Sequence, residues 1–144
     1  MSRASGDEIV YVICHWFLRS AIAVGASVIV VVPKVGGVKL ADGSMLTADG
    51  QLAGTPSVMF DAVAIVLSDA GAKKLSKEAA AIDFVRDAFR HLKAIAVDNG
   101  GRSLLKMAAI PNDGGVIDVS DKQGFVASAK TRQWDREASV RTLA

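Results

Sequence analysis

A chain of 144 residues with 51% apolar residues and three prolines is long enough for one domain with a continuous core and too apolar for a disordered tail. Seventeen Lys and Arg against fifteen Asp and Glu leave a formal charge of +2 with no basic block, which argues against a nucleic-acid surface. Cys14 is the one cysteine, so neither an intrachain disulfide nor a thiolate metal cluster can form, and a reducing, cytoplasmic location is expected.

In chain order, Ser5-Gly6-Asp7-Glu8 fits a capping box opening a helix with Ile9, Val12, Ile13, Trp16 and Phe17 on one face. Residues 9–13 equally fit a first strand. The apolar stretch 9–32 raises a membrane span, but His15 and Arg19 interrupt it, residues 25–27 break it and a Val-Ile run ends it. Asp7 and Glu8 stand where a secretory leader needs positive charge, so neither a span nor a targeting peptide is expected. Residues 28–32, 62–67 and 94–97 read as buried parallel strands. The stretch 36–51, punctuated by Gly36-Gly37, Asp42-Gly43 and Asp49-Gly50, predicts a β-hairpin excursion turning at Asp42-Gly43. Thr55-Pro56-Ser57 suits a single helical turn with Pro at its first position.

Residues 77–92 place Ile82, Val85, Ala88, Phe89 and Leu92 at helical spacing, with the charged side chains falling largely elsewhere. A short helix over 101–108, an edge strand over 116–119 and a terminal helix over 122–133 complete the pattern, and the last ten residues read as a loosely held tail. Strands alternating with helices predict an α/β fold with a mostly parallel central sheet. No repeat or linker divides the chain, so a single domain over 1–144 is expected.

The segment 93–105 is the most informative. An apolar strand runs into Asp98-Asn99-Gly100-Gly101 and a helix, the geometry that projects one side chain from the carboxyl end of a sheet onto a helix N-terminus. Asn99 stands at the projecting position and cannot act as a thiolate does. The same turn, Asn99, Gly100, Gly101 and Arg102, offers amides suited to an anion, although Asp98 opposes one and any tight strand-to-helix turn wants glycine. Cys14 and His15 are adjacent, and neighbours point apart on a strand or a helix, so they form no dyad by themselves. His91, near a helix end and without a second ligand at metal spacing, predicts no metal site. Arg132, Trp134 and Arg136 form an aromatic and charged cluster of the composition found at interface hot spots, equally compatible with Trp134 folding back onto its own domain.

Several extended runs carry a resemblance: Pro33-Lys34-Val35-Gly36-Gly37-Val38, Ala41-Asp42-Gly43-Ser44, Ala48-Asp49-Gly50-Gln51-Leu52-Ala53-Gly54, Pro56-Ser57-Val58-Met59-Phe60-Asp61-Ala62-Val63 and Ala129-Lys130-Thr131-Arg132-Gln133-Trp134-Asp135-Arg136-Glu137. Over roughly residues 25–144 the chain resembles the C-terminal domain of large-subunit catalases. The resemblance implies a flavodoxin-like three-layer sandwich of the class I glutamine-amidotransferase superfamily, whose catalytic members carry Cys at the elbow, usually with a following His and a Glu from an earlier loop. Asn99 and Gly100 occupy that elbow pair here, and the segment bringing the Glu is not recognisable. In catalytic relatives the neighbourhood of Ser68-Asp69-Ala70-Gly71 supplies oxyanion-hole amides, which would have nothing to stabilise in this chain.

The flavodoxin-like strand order places strand 1 inside the sheet, which favours residues 9–13 as that strand; against the family, the region 1–24 is shortened or atypical. The resemblance implies a non-catalytic structural or interaction module, a pseudoenzyme whose family context is hydrogen-peroxide removal in oxidative stress. It carries no cofactor of its own and either forms homo-oligomers or docks to a catalase core. The alternatives are a small hydrolase or glyoxalase-type enzyme using Cys14 as a displaced nucleophile, and an anion-binding module at Asn99.

Overall fold

The computed structural model describes residues 30–32, 37–39, 45–47, 49–55 and 57–141. The readings of residues 9–13, Cys14, His15, Trp16, Phe17 and the Asp42-Gly43 turn lie outside these residues.

The central feature is a parallel three-stranded sheet in the order β5-β6-β7, formed by β5 (Ala62–Ile65), β6 (Ala94–Val97) and β7 (Val116–Asp118). Two further pairs precede it. The strand β1 (Val31–Val32) runs parallel to β4 (Gly50–Gln51), and β2 (Gly37–Lys39) pairs antiparallel with β3 (Met45–Thr47). β2 and β3 pair with Gly37 opposite Thr47 and Lys39 opposite Met45, the antiparallel pairing that the hairpin reading of 36–51 expects. In the run 28–32, read as a buried parallel strand, the described part is buried at Val30 and Val31 and runs parallel to β4, and Val30 and Asp49 tie the two segments together. The Asp49 carboxylate accepts from the Val30 amide at 2.8 Å, and the Val30 carbonyl accepts from the Asp49 amide at 2.8 Å.

Alternation along the strands sorts the core onto two faces. Val63, Ile65, Ile95 and Val97 join Leu75, Phe84, Val85, Phe89, Leu104 and Leu105 in the larger cluster. Ala94 and Ala96, with Ala62, Ala64 and Ile117 beside them, form a second cluster with Phe125.

Helix α1 (Asp69–Leu75) opens at Ser68, whose hydroxyl accepts from the Gly71 amide at 3.0 Å, so this loop is a helix cap. Helix α2 (Ala79–Arg90) buries Ala81, Phe84, Val85, Ala88 and Phe89, a clean i, i+3, i+4, i+7, i+8 stripe. The stripe is rotated from the expected one: Ala81 and Phe84 belong to it, whereas Ile82 is half-buried. Leu92 falls beyond the helix in a left-handed conformation, φ 63°, as the helix end reverses into β6. Helix α3 (Asn99–Met107) begins two residues earlier than expected, because Asp98 caps it. Ser57, fully buried in a 3-10 turn at Ser57–Met59, donates to the Phe84 carbonyl at 2.6 Å and ties that turn to α2.

The carboxyl-terminal segment corrects two expectations. Helix α4 (Lys122–Ala129) stops well short of residue 133, since the Gln133 side chain donates to the Ser128 carbonyl at 3.0 Å and the Gln133 amide is drawn to the Leu92 carbonyl at 2.8 Å. The last ten residues are not a loose tail as far as they are described. A 3-10 turn at Trp134–Arg136 leads into α5 (Glu137–Arg141), Arg136 is buried, and Val140 packs on the larger cluster.

Candidate functional site

At the carboxyl edge of the sheet, β6 ends at Val97 and Asp98 turns the chain into α3. Asp98 is 5% exposed. One carboxylate oxygen accepts from the Gly101 amide at 2.7 Å, and both oxygens lie 3.2 Å from the Leu67 amide beyond the end of β5. One buried side chain thus caps a helix and fixes the neighbouring strand exit, satisfying donors that would be costly to leave unpaired. The glycines follow from the same closeness. A Cβ on Gly100 would collide with the Leu67 carbonyl, and one on Gly101 with the Ile65 carbonyl, so helix α3 meets β5 backbone to backbone.

Asn99 is exposed at the first helical position, where the sequence places it, and its carbonyl accepts from Ser103 Oγ at 3.2 Å. The four residues read as an anion cradle do come to one edge, with their donors already engaged in part. Gly100 and Gly101 are buried, the Gly101 amide is held by Asp98, and Arg102 turns toward Asn112 Oδ1 at 3.3 Å and Asp118 at 3.6 Å. Asp118 is held below the usual carboxyl range mainly by the hydroxyl and amide of Ser120, with Arg102 adding to them against the cost of burial. His91, the C-cap of α2, is exposed. No group of three or more His, Cys, Asp or Glu able to hold a metal exists among the described residues.

The residues read as an interface lie at the opposite, amino-terminal edge. Trp134 is 65% exposed. Arg132, partly exposed, pairs with Asp61 at 3.4 Å just before β5. Arg136 departs from the interface reading: it is 3% exposed and works inside the domain. Its guanidinium donates to both oxygens of Asp113, at 2.6 and 3.0 Å, and to the Lys93 carbonyl at 2.7 Å, and lies 4.5 Å from the centre of the Phe89 ring. Gly115 leaves the room for it, since a Cβ there would strike the guanidinium. Burial pushes the Asp113 carboxyl up, but the Arg136 hydrogen bond and charge and the amides of Gly115 and Val116 outweigh it and hold the group below its ordinary value.

Lys93 and Asp113 were not singled out from the sequence. The one local signal was Asp113-Gly114-Gly115, a tight turn whose Asp accepts from the Gly115 amide at 2.9 Å.

Parallel strands joined by helices, with a self-capped strand-to-helix turn at the carboxyl edge, define an α/β domain. The family model for the C-terminal domain found in long catalases matches residues 18–136. The chain belongs to that family. It is similar to Catalase C of Rhizobium meliloti (strain 1021), 38% identical over 117 residues covering 77% of this chain and 17% of that protein. It is also similar to Catalase-B of Dictyostelium discoideum, 32% identical over 81% of this chain and 18% of the relative, and to Catalase-2 of Bacillus subtilis (strain 168), 30% identical over 78% and 17%. The chain spans less than a fifth of the length of these curated relatives.

Proposed function

We propose that this domain is a non-catalytic structural and docking module of the kind long catalases carry, active through association and not through chemistry of its own. The observation that carries the reading is the Asp98 carboxylate, which occupies the Gly101 and Leu67 amides at the turn while Asn99 holds the outward position. A turn that supplies its own anion and presents a carboxamide is a stable corner of the fold, and it lacks the activated nucleophile that covalent catalysis requires. The family context makes the partner a second copy of the chain or a haem-bearing catalase core, the setting hydrogen-peroxide removal in a reducing cytoplasm. Docking falls to Trp134 with Arg132, because Trp134 is held out in solvent by neighbours that are themselves pinned, Gln133 on Leu92 and Ser128, Arg136 on Asp113.

Sedimentation equilibrium of the wild type and Trp134→Ala tests this. If Trp134 anchors an interface, its truncation weakens association by about 2 kcal/mol or more, roughly a 30-fold change in Kd. A wild type that stays monomeric with and without a catalase core, or an oligomer indifferent to Trp134, removes the docking role. A hydrolase or glyoxalase activity that Cys14→Ser abolishes with folding intact removes the non-catalytic one.

A further inference from the structure

We propose that the surface around Trp134 binds a second copy of this chain about a two-fold axis, with the two indoles meeting at the axis and Arg132 of each copy turning from its own Asp61 to the partner's Asp61. The proposal rests on the reading of Trp134 as a docking residue, and it chooses between the two partners and adds Asp61 to the surface. An Arg132 Nη2 lies 3.4 Å from Asp61 Oδ1, a contact between residues 71 positions apart. The Trp134 amide donates to the Arg132 carbonyl at 3.0 Å, so the exposed indole and the ion pair rise from one short turn.

The charges there select the partner. Arg132 stands against Asp61, and Lys130 and Asp135, both exposed, add one more of each sign. A wholly acidic or wholly basic partner would meet as many like charges as opposite ones. In a two-fold contact residue i meets residue j and j meets i, so a patch carrying both signs beside an apolar centre complements itself and makes each favourable contact twice. Asp61 is free to exchange, because its side chain is 82% exposed and an exposed pair at this distance contributes little within one chain. Two indoles stacked at the axis supply the apolar contact, and the exchanged pairs at its rim fix the register. The turn is ordered before a partner arrives, with the Gln133 amide held by Leu92 and Arg136 held by Asp113 and the Lys93 carbonyl, so little freedom is lost on docking.

Sedimentation equilibrium of the full chain tests the pairing by charge reversal. The wild type is expected to show a monomer–dimer equilibrium, which Arg132→Asp and Asp61→Arg each weaken by roughly tenfold or more, because like charges then face one another twice. An equimolar mixture of these two variants is expected to associate as the wild type does, since each brings the charge the other has lost, and the Arg132→Asp/Asp61→Arg double variant to do so alone. Should a reversal fail to fold, Arg132→Gln and Asp61→Asn decide by the same loss of association. A dimer that Trp134→Ala weakens but neither reversal changes, or that mixing does not recover, overturns the two-fold exchange and leaves Trp134 a docking residue. A chain that stays monomeric and binds a catalase core through Trp134 does the same, whereas a chain that associates with neither removes both readings.

Discussion

Arg136→Ala is the sharpest test of how the domain is closed. The guanidinium is 3% exposed and serves Asp113, the Lys93 carbonyl and the Phe89 ring together. Removing one partner of a fully buried ion pair costs about 3–5 kcal/mol, because the survivor is left charged and dry. The Asp113 side chain keeps 31% exposure and its bond from the Gly115 amide, so water recovers part of that, and about 2–3 kcal/mol is the fitting range. The ring contact adds about 0.5–1 kcal/mol. The expected destabilisation is therefore about 3 kcal/mol. With a urea m value of about 1.5 kcal/mol/M for a domain of this size, the unfolding midpoint drops by about 2 M. Arg136→Lys keeps the charge and loses the fork, and falls about halfway between. A midpoint shift under about 0.5 M for Arg136→Ala, with m unchanged, would refute the view that this side chain closes the amino-terminal edge.

Asp98→Ala removes a helix cap and orphans the Leu67 amide, for an expected loss of about 2–4 kcal/mol in the same urea experiment, while Asp98→Asn, which retains an acceptor oxygen, loses less. Asp113 and Asp118 are both held below their ordinary values, so unfolding takes up protons in acid: their contribution is complete above the unfolded carboxyl range and is lost as pH falls through the lower folded values. Unfolding midpoints followed from pH 7 downward should decline in the acid range below about pH 4, and Asp113→Asn should flatten that decline while lowering the plateau. Ala109 is exposed at φ 59° after the end of α3, a conformation that disfavours a Cβ; Ala109→Gly should raise stability by about 0.5–1 kcal/mol, and a lower thermal midpoint would count against that assignment.

The carboxyl edge was legible because its determinants are adjacent in sequence. An apolar strand, an Asp, an Asn and two glycines specify the turn, and the structure shifts it only by starting α3 at Asn99, where the Asp98 cap puts it. The amino edge was not legible, because its bonds join Lys93, Asp113 and Arg136 across intervals that no periodicity reports. An arginine is usually on the surface, and nothing local marks this one as buried until Asp113 and the open face of Gly115 are beside it. Helix α4 was read as too long for a related reason. Lys130-Thr131-Arg132 can continue a helix, and what stops it is the capture of Gln133 by Leu92, a residue from another layer of the sequence.

The closure of the amino-terminal edge by Arg136 orders events during synthesis. The carbonyl of Lys93 waits for a guanidinium 43 positions downstream, and ribosomes add roughly 5–20 residues per second, so several seconds separate the two. In the later part of that interval, once β7 has been made, β5, β6 and β7 can pair, but Phe89 lacks the cation that covers it and the Asp113 carboxylate lacks its partner. The nascent domain is therefore a nearly finished sheet with one raw margin, and the window in which it is open to chaperones, proteases or a neighbouring chain closes when Arg136 leaves the ribosome.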